Sequence, residues 1–249
     1  MRRLATETPA SIDRLAVEVS LIRRLVRDIS SVLILSGLLL VLDAGVTLVW
    51  QEPVTAAIGA IKQGEINHRF ESYSHAPLSQ ADQLALDSMA SISQRIGYLA
   101  RQEERQVSTG DAIGRIDIPK IGASFDVVQG TDTSSLQKGP GHYPTTALPG
   151  LGETVAIAGH RTTYLAPFRR INELRANDQI VLEMRYARFT YVVQKTQIVL
   201  PTALWVTNNV GYERLVLSAC NPLYSAAQRI IVFARLSEVQ PLGASKTTT

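Results

Sequence analysis

The chain has 249 residues, 45% hydrophobic and 19% charged, with 16 glycines and 11 prolines. That is enough apolar material to bury a core, and the composition is neither low-complexity nor disordered. Its 25 basic and 22 acidic side chains leave a formal charge of +3, scattered along the chain, which excludes the basic footprint of a nucleic-acid-binding protein. One cysteine, Cys220, excludes an internal disulfide framework, a Cys-based zinc site and a CxxC redox pair. No metal and no other cofactor is expected, because the four histidines show no ligand spacing such as HExxH.

The first predicted element is a membrane span over 29–50, ISSVLILSGLLLVLDAGVTLVW, apolar except for Asp43 and about 33 Å long as a helix. Arg2, Arg3, Arg14, Arg23, Arg24 and Arg27 precede it against Glu7, Asp13, Glu18 and Asp28, while Gln51 and Glu52 follow. The positive-inside rule therefore puts segment 1–28 in the cytoplasm and the rest of the chain outside the cell. A signal peptide fits less well, since the apolar run is too long for an h-region and no small-x-small site follows Trp50. Asp43, close to the outer end and without a second ionisable group in the span, reads as a partly hydrated carboxylate rather than a functional one.

From 51 to 110 the chain is polar and broken up, and reads as a stalk. Within it, 80–105 carries Leu84, Met89, Ile92, Ile96 and Leu99 on an approximate 3.6 period, predicting one amphipathic helix for packing or self-association. After Gly110, Val/Ile-rich runs separated by Gly, Pro and Asn predict strands over 113–118, 125–128, 155–158, 180–184, 189–199, 215–219 and 230–236. Seven or eight short strands in this space predict an all-β unit over 111–238, a small antiparallel barrel or sandwich. A short helix is expected over 165–174, a turn at Ala176-Asn177-Asp178, and a disordered tail over 239–249.

Chemistry is expected where strands end. Cys220 closes the run Leu215-Val-Leu-Ser-Ala and precedes Asn221-Pro222, where proline stops pairing, so the thiol belongs at a strand terminus beside a loop. Arg229 opens the next β run, and a short loop brings its guanidinium back toward the thiol, where a cation favours thiolate and can bind an oxyanion. His160 ends the strand-like run Val155-Ala-Ile-Ala-Gly159, ahead of Thr162-Thr163-Tyr164. His68 and His75 fall in the polar stalk and His142 in a Gly/Pro loop, solvated or structural, with His142 able to line a cleft.

The segments Ile157-Ala-Gly-His-Arg-Thr-Thr-Tyr164 and Leu217-Ser-Ala-Cys-Asn-Pro222, with Arg229 and Arg115-Ile-Asp-Ile-Pro119, resemble the sortases, membrane-anchored cysteine transpeptidases of Gram-positive bacteria. The resemblance covers 113–236, and the GHRTTY stretch is most similar to the class E sortases of actinobacteria. It implies a closed β-barrel in which Cys220 is the nucleophile, His160 the family histidine and Arg229 the family arginine. It further implies a sorting-signal peptide of LPxTG or LAxTG type, cut between Thr and Gly, and an amine of a cell-wall precursor as partners. One departure stands out: the family motif Thr-Leu-x-Thr-Cys is Val216-Leu-Ser-Ala-Cys220 here, so Ala219 brings no hydroxyl and Ser218 or a backbone group would have to replace it. No Asp-Pro dipeptide occurs, which favours wall anchoring over pilus assembly. Tyr164 is expected either to face the signal peptide or to pack its loop onto the barrel. Two rival readings share these residues: a tethered cysteine peptidase in which water resolves the thioester, and a non-catalytic wall-binding β domain with Cys220 merely buried.

Overall fold

In the computed structural model, which describes residues 9–49 and 53–246, the first of two units, Met1–Trp50, contains one long helix, α1 (Pro9–Val49). Within Leu21–Val46 it holds an 18-residue stretch with no more than two charged side chains, and none of that stretch is buried by protein. Such an uncovered apolar helix needs an apolar surrounding, and 26 residues reach about 39 Å, enough to cross a bilayer. The stretch starts earlier than the expected 29–50 because Leu21, Ile22, Leu25 and Val26 carry the apolar surface between the arginines. Trp50 lies outside the described residues.

The second unit, Gln51–Thr249, is built on a closed barrel of eight strands: β1 (Ala112–Ile118), β2 (Ala123–Gln129), β3 (Gly141–His142), β4 (Thr154–Ala158), β5 (Gln179–Met184), β6 (Ala187–Val199), β7 (Arg214–Asn221) and β8 (Gln228–Pro241). Their order around the barrel is β1-β2-β3-β4-β7-β8-β6-β5. Pairs β2–β3 and β4–β7 are parallel and the others antiparallel. Alternate residues fill the interior, among them Ile116, Val127, Ile157, Leu182, Phe189, Tyr191, Leu215, Leu217 and Val232, each worth about 1.5–3 kcal/mol when fully buried. The β4–β7 pair matters most for function. Because these strands run in the same direction, their C-terminal ends, carrying Gly159-His160 and Cys220-Asn221, emerge at the same rim.

Three helices depart from the expected stalk. The predicted helix over 80–105 is two, α3 (Gln80–Asp87) and α4 (Ile92–Gln106). Ser91 stops continuity by capping α4, its hydroxyl accepting from Gln94 N while Gln94 Oε1 accepts from Ser91 N, both at 3.2 Å; this reciprocal pair satisfies two orphan donors of the first turn. Nor does this region stand free, for Ile96, Leu99 and Ala100 of α4 belong to the barrel's core cluster. An additional helix, α2 (Pro53–Ser74), interrupted in apolar pattern by Gly59 and Gly64, packs Ile66 and Phe70 against Ala112 and Val128.

Two other expectations are corrected. No helix fills 165–174: Tyr164, Leu165 and Ala166 all have positive φ, and only a single 3-10 turn forms at Ile171–Glu173. Ordered structure also passes residue 238, since β8 runs to Pro241 and Ser245, fully buried, donates its hydroxyl to Tyr186 O at 2.6 Å. Residues 247–249 lie outside the described residues. The expected turn is present, with Asn177 left-handed at φ 75.

Candidate active site

Cys220 and Arg229 are direct partners across the antiparallel β7–β8 pair, so their side chains share one face of the sheet. Alternation along β7 puts Val216, Ser218 and Cys220 on that outer face, while Leu215, Leu217 and Ala219 point into the barrel, where all three are buried in its core and Val216 packs separately against Ile231 and Phe233. The methyl of Ala219 is thus core, and Ser218 faces the opposite way. A hydroxyl at 218 and one at 219 would therefore lie on opposite faces of the strand, and it is Ser218 that shares the face and the cleft of Cys220 and Arg229.

His160 reaches the same rim from β4. Gly159 N donates to Ser218 O at 3.0 Å, and His160 O accepts from Phe168 N at 2.9 Å. Glycine at 159 is required by packing: a Cβ there would lie 2.5 Å from the Phe168 ring, which is itself fully buried. Half-burial of His160 holds its imidazole below the usual histidine range, so the neutral form dominates near pH 7.

His160, Ser218, Ala219, Cys220 and Arg229 line one cleft of about 210 Å³, together with Thr131, Leu136 and Tyr143. An adjoining hollow of about 120 Å³ shares Tyr143, Ser218 and Arg229 and continues the cleft over the apolar Leu200, Ala203, Val206 and Ile231. Arg229 Nη1 donates to Ala226 O and Gln228 O, both at 3.0 Å, which fixes one side of the guanidinium against the β7–β8 loop. Cys220 itself is half-buried.

Tyr164 does not line the cleft. Its ring packs on the His160 ring, centroids 5.4 Å apart and planes tilted by 42°. His142 is also outside it: fully buried, it bonds the Gln129 side chain at 2.8 Å and Ala147 O at 3.0 Å, and burial holds it neutral with a pKa of about 4. His68 and His75 lie far along the chain on or just after α2, and no group of three metal-ligating side chains occurs among the described residues.

Arg161 is the residue that sequence reasoning missed. It is nearly completely buried, and its guanidinium joins three segments: Nη1 donates to Cys220 O and Asn221 Oδ1, each at 3.1 Å, and Nη2 to Asn172 Oδ1 at 2.8 Å. Burial and the neighbouring Arg169 weaken its hold on the proton, while the charge of Cys220 opposes them. Its position directly after the strand-end histidine was the available signal.

Comparison with known proteins bears on the family of this fold. A family model described as the Sortase domain matches residues 116–237. Sortase D of Bacillus subtilis is 37% identical over 131 residues, covering 51% of this chain and 65% of that protein. Sortase SrtE1 of Streptomyces coelicolor is 28% identical over 153 residues, covering 55% of this chain and 44% of its own length; the chain thus spans less than two thirds of these curated relatives. Among solved structures, sortase E from Streptomyces avermitilis aligns with a TM-score of 0.50 at 35% identity, covering 56% of this chain and 97% of that one. Sortase E1 from Streptomyces coelicolor, solved with a tripeptide in its active site, aligns with a TM-score of 0.52 at 28% identity over 53% of this chain and 91% of that one. With an eight-stranded barrel and a 35% identical relative matched over nearly its whole length, the chain belongs to the sortase family, whose members are cysteine transpeptidases that process sorting signals.

Proposed function

We propose that this protein is a membrane-anchored transpeptidase that cleaves an LPxTG- or LAxTG-type sorting signal between Thr and Gly and joins the protein to an amine of a cell-wall precursor. The observation that carries the reading is the meeting of His160, Cys220 and Arg229, from three strand ends, on one cleft. In this reading α1 is the anchor, with the N-terminus cytoplasmic and the barrel outside the cell.

The Cys220 thiolate attacks the Thr carbonyl carbon and Arg229 neutralises the tetrahedral oxyanion. His160, as imidazolium, gives its proton to the glycine nitrogen as the C–N bond breaks, leaving a thioester on Cys220. The incoming amine attacks that thioester, His160 takes its proton, and the thiolate departs as the new amide forms. The hollow over Leu200, Ala203 and Val206 offers apolar surface for the leucine end of the signal.

The test incubates the full-length protein in detergent with LPxTG and LAxTG peptides and a simple amine, and reads products by mass. An amide of the amine with the peptide ending in Thr supports the proposal. Free acid alone means hydrolysis by a tethered peptidase, and no adduct or product at all leaves a non-catalytic β domain.

A further inference from the structure

Helix α2 has two faces that meet different surroundings. At about 100° per residue, Thr55, Gly59, Gln63, Ile66 and Phe70 form one stripe. It packs on the barrel and the His160 loop: Thr55 Oγ1 accepts from Tyr164 N at 3.3 Å, Gly59 lies against Tyr164 and Leu165, and Gln63 bonds Asp126 and Lys138. Val54, Ala57, Ile58 and Ile61 form a second stripe about 140° away. It is bare, with Val54 61%, Ile58 41% and Ile61 67% exposed. Further along this second face the residues turn polar, as Glu65, His68 and Ser72.

The apolar surface is therefore confined to the first two turns of α2. Those turns begin at Pro53, while α1 ends at Val49, and the intervening peptide can span at most about 14 Å. Apolar surface confined to the turns that follow the apolar helix most closely in sequence is what a helix seated at a bilayer and rising out of it shows. We propose that Val54, Ala57, Ile58 and Ile61 seat the start of α2 in the lipid surface, so that the loop carrying His160, which rests on the other face of the same two turns, is held at the membrane. This rests on the reading of α1 as a membrane anchor.

The test uses the full chain in lipid vesicles, with Cys220→Ala removing its one thiol and single cysteines at Val54→Cys, Ile58→Cys, Ile61→Cys, Ala60→Cys and Leu39→Cys carrying an environment-sensitive fluorophore. Nitroxide-labelled lipids then quench whatever they reach. Seating predicts at least about twofold stronger quenching at 54, 58 and 61 than at 60, a helical periodicity that an upright α2 would not show. Strong quenching at 39 with equal quenching at 58, 60 and 61 overturns the proposal and leaves the anchor standing. Absence of quenching at 39 overturns both. Pyrene excimers from Ile61→Cys without lipid quenching would replace the bilayer by a second copy of the chain.

Discussion

Arg161 and Arg229 flank Cys220 with different tasks that follow from how each guanidinium is held. Arg229 shares the cleft with the thiol and is fixed on one side by two loop carbonyls, which leaves its fork oriented. Arg229→Lys keeps the charge and loses the fork, and should cost about 3 kcal/mol of barrier, roughly a hundredfold in kcat/KM; a rate within twofold of native would reduce Arg229 to a strand residue. Arg161 is nearly fully buried, is not among the residues lining the cleft, and ties Cys220 O to the 169–172 segment. Arg161→Lys should lower kcat by about tenfold or more with KM nearly unchanged, since it moves the nucleophile's backbone without touching peptide. For His160, whose charged form burial disfavours, the acid limb of the kcat/KM profile should fall below pH 6.5, the ordinary histidine value. A limb above 6.5 would mean that a partner favouring the imidazolium outweighs burial. Tyr164→Phe keeps the ring that packs on His160, so the LAxTG to LPxTG ratio should stay unchanged; a shift of about 1 kcal/mol would restore the phenolic hydroxyl as a peptide reader.

At the scale of elements, the loop after β4 stores strain. Three consecutive non-glycine residues, Tyr164, Leu165 and Ala166, hold positive φ of 49, 64 and 44, each at a cost of about 1 kcal/mol or more. Such a loop persists only where neighbours over-determine it. Phe168 does so from below, through Gly159, and α2 from outside, through Thr55 and Gly59. A Cβ at 59 would lie 3.0 Å from Tyr164 C and 3.1 Å from Leu165 Cγ. Gly59→Val should therefore displace the loop and lower kcat by several-fold, with a change in thermal midpoint smaller than that of Gly159→Ala, whose Cβ meets the buried Phe168 ring. Gly159→Ala should cost about 1–3 kcal/mol of stability. Thermal unfolding and steady-state rates on both variants separate loop placement from core packing.

The whole β-unit carries a pH dependence that has nothing to do with catalysis. Glu103 of α4 is almost fully buried beside Tyr73 and Arg185, and burial pushes its carboxyl up from 4.5 to about 8 against the opposing charge of Arg185. In the folded state it therefore holds a proton that the unfolded chain releases above about pH 4.5. Stability from this group is complete below that pH and is lost progressively as pH rises through about 8. Glu103→Gln keeps the shape and removes the titration, so its thermal midpoint should exceed the native one at pH 8.5 by a few degrees and differ little at pH 5. Parallel loss of stability in both proteins between pH 5 and 8.5 would assign the effect to other groups, Glu213 first, whose carboxyl is also raised by burial.

The sequence by itself determined what is local: the apolar helix near the N-terminus, seven strand cores, the Asn177 turn, and the placing of His160, Cys220 and Arg229 at strand ends. Each depends on periodicity or on a stop residue within a few positions. Tertiary structure decided what depends on neighbours distant in sequence. The two-residue β3 has no pattern of its own and exists because β2 and β4 offer it partners on both sides. Helix α2, broken in pattern by Gly59 and Gly64, is helical because its buried stripe finds the barrel and the His160 loop. The expected helix after His160 gave way to a strained loop because Phe168 is needed beneath Gly159. Strand parity decided which face each side chain takes, sending Ala219 into the core and Ser218 to the cleft side of a closed barrel.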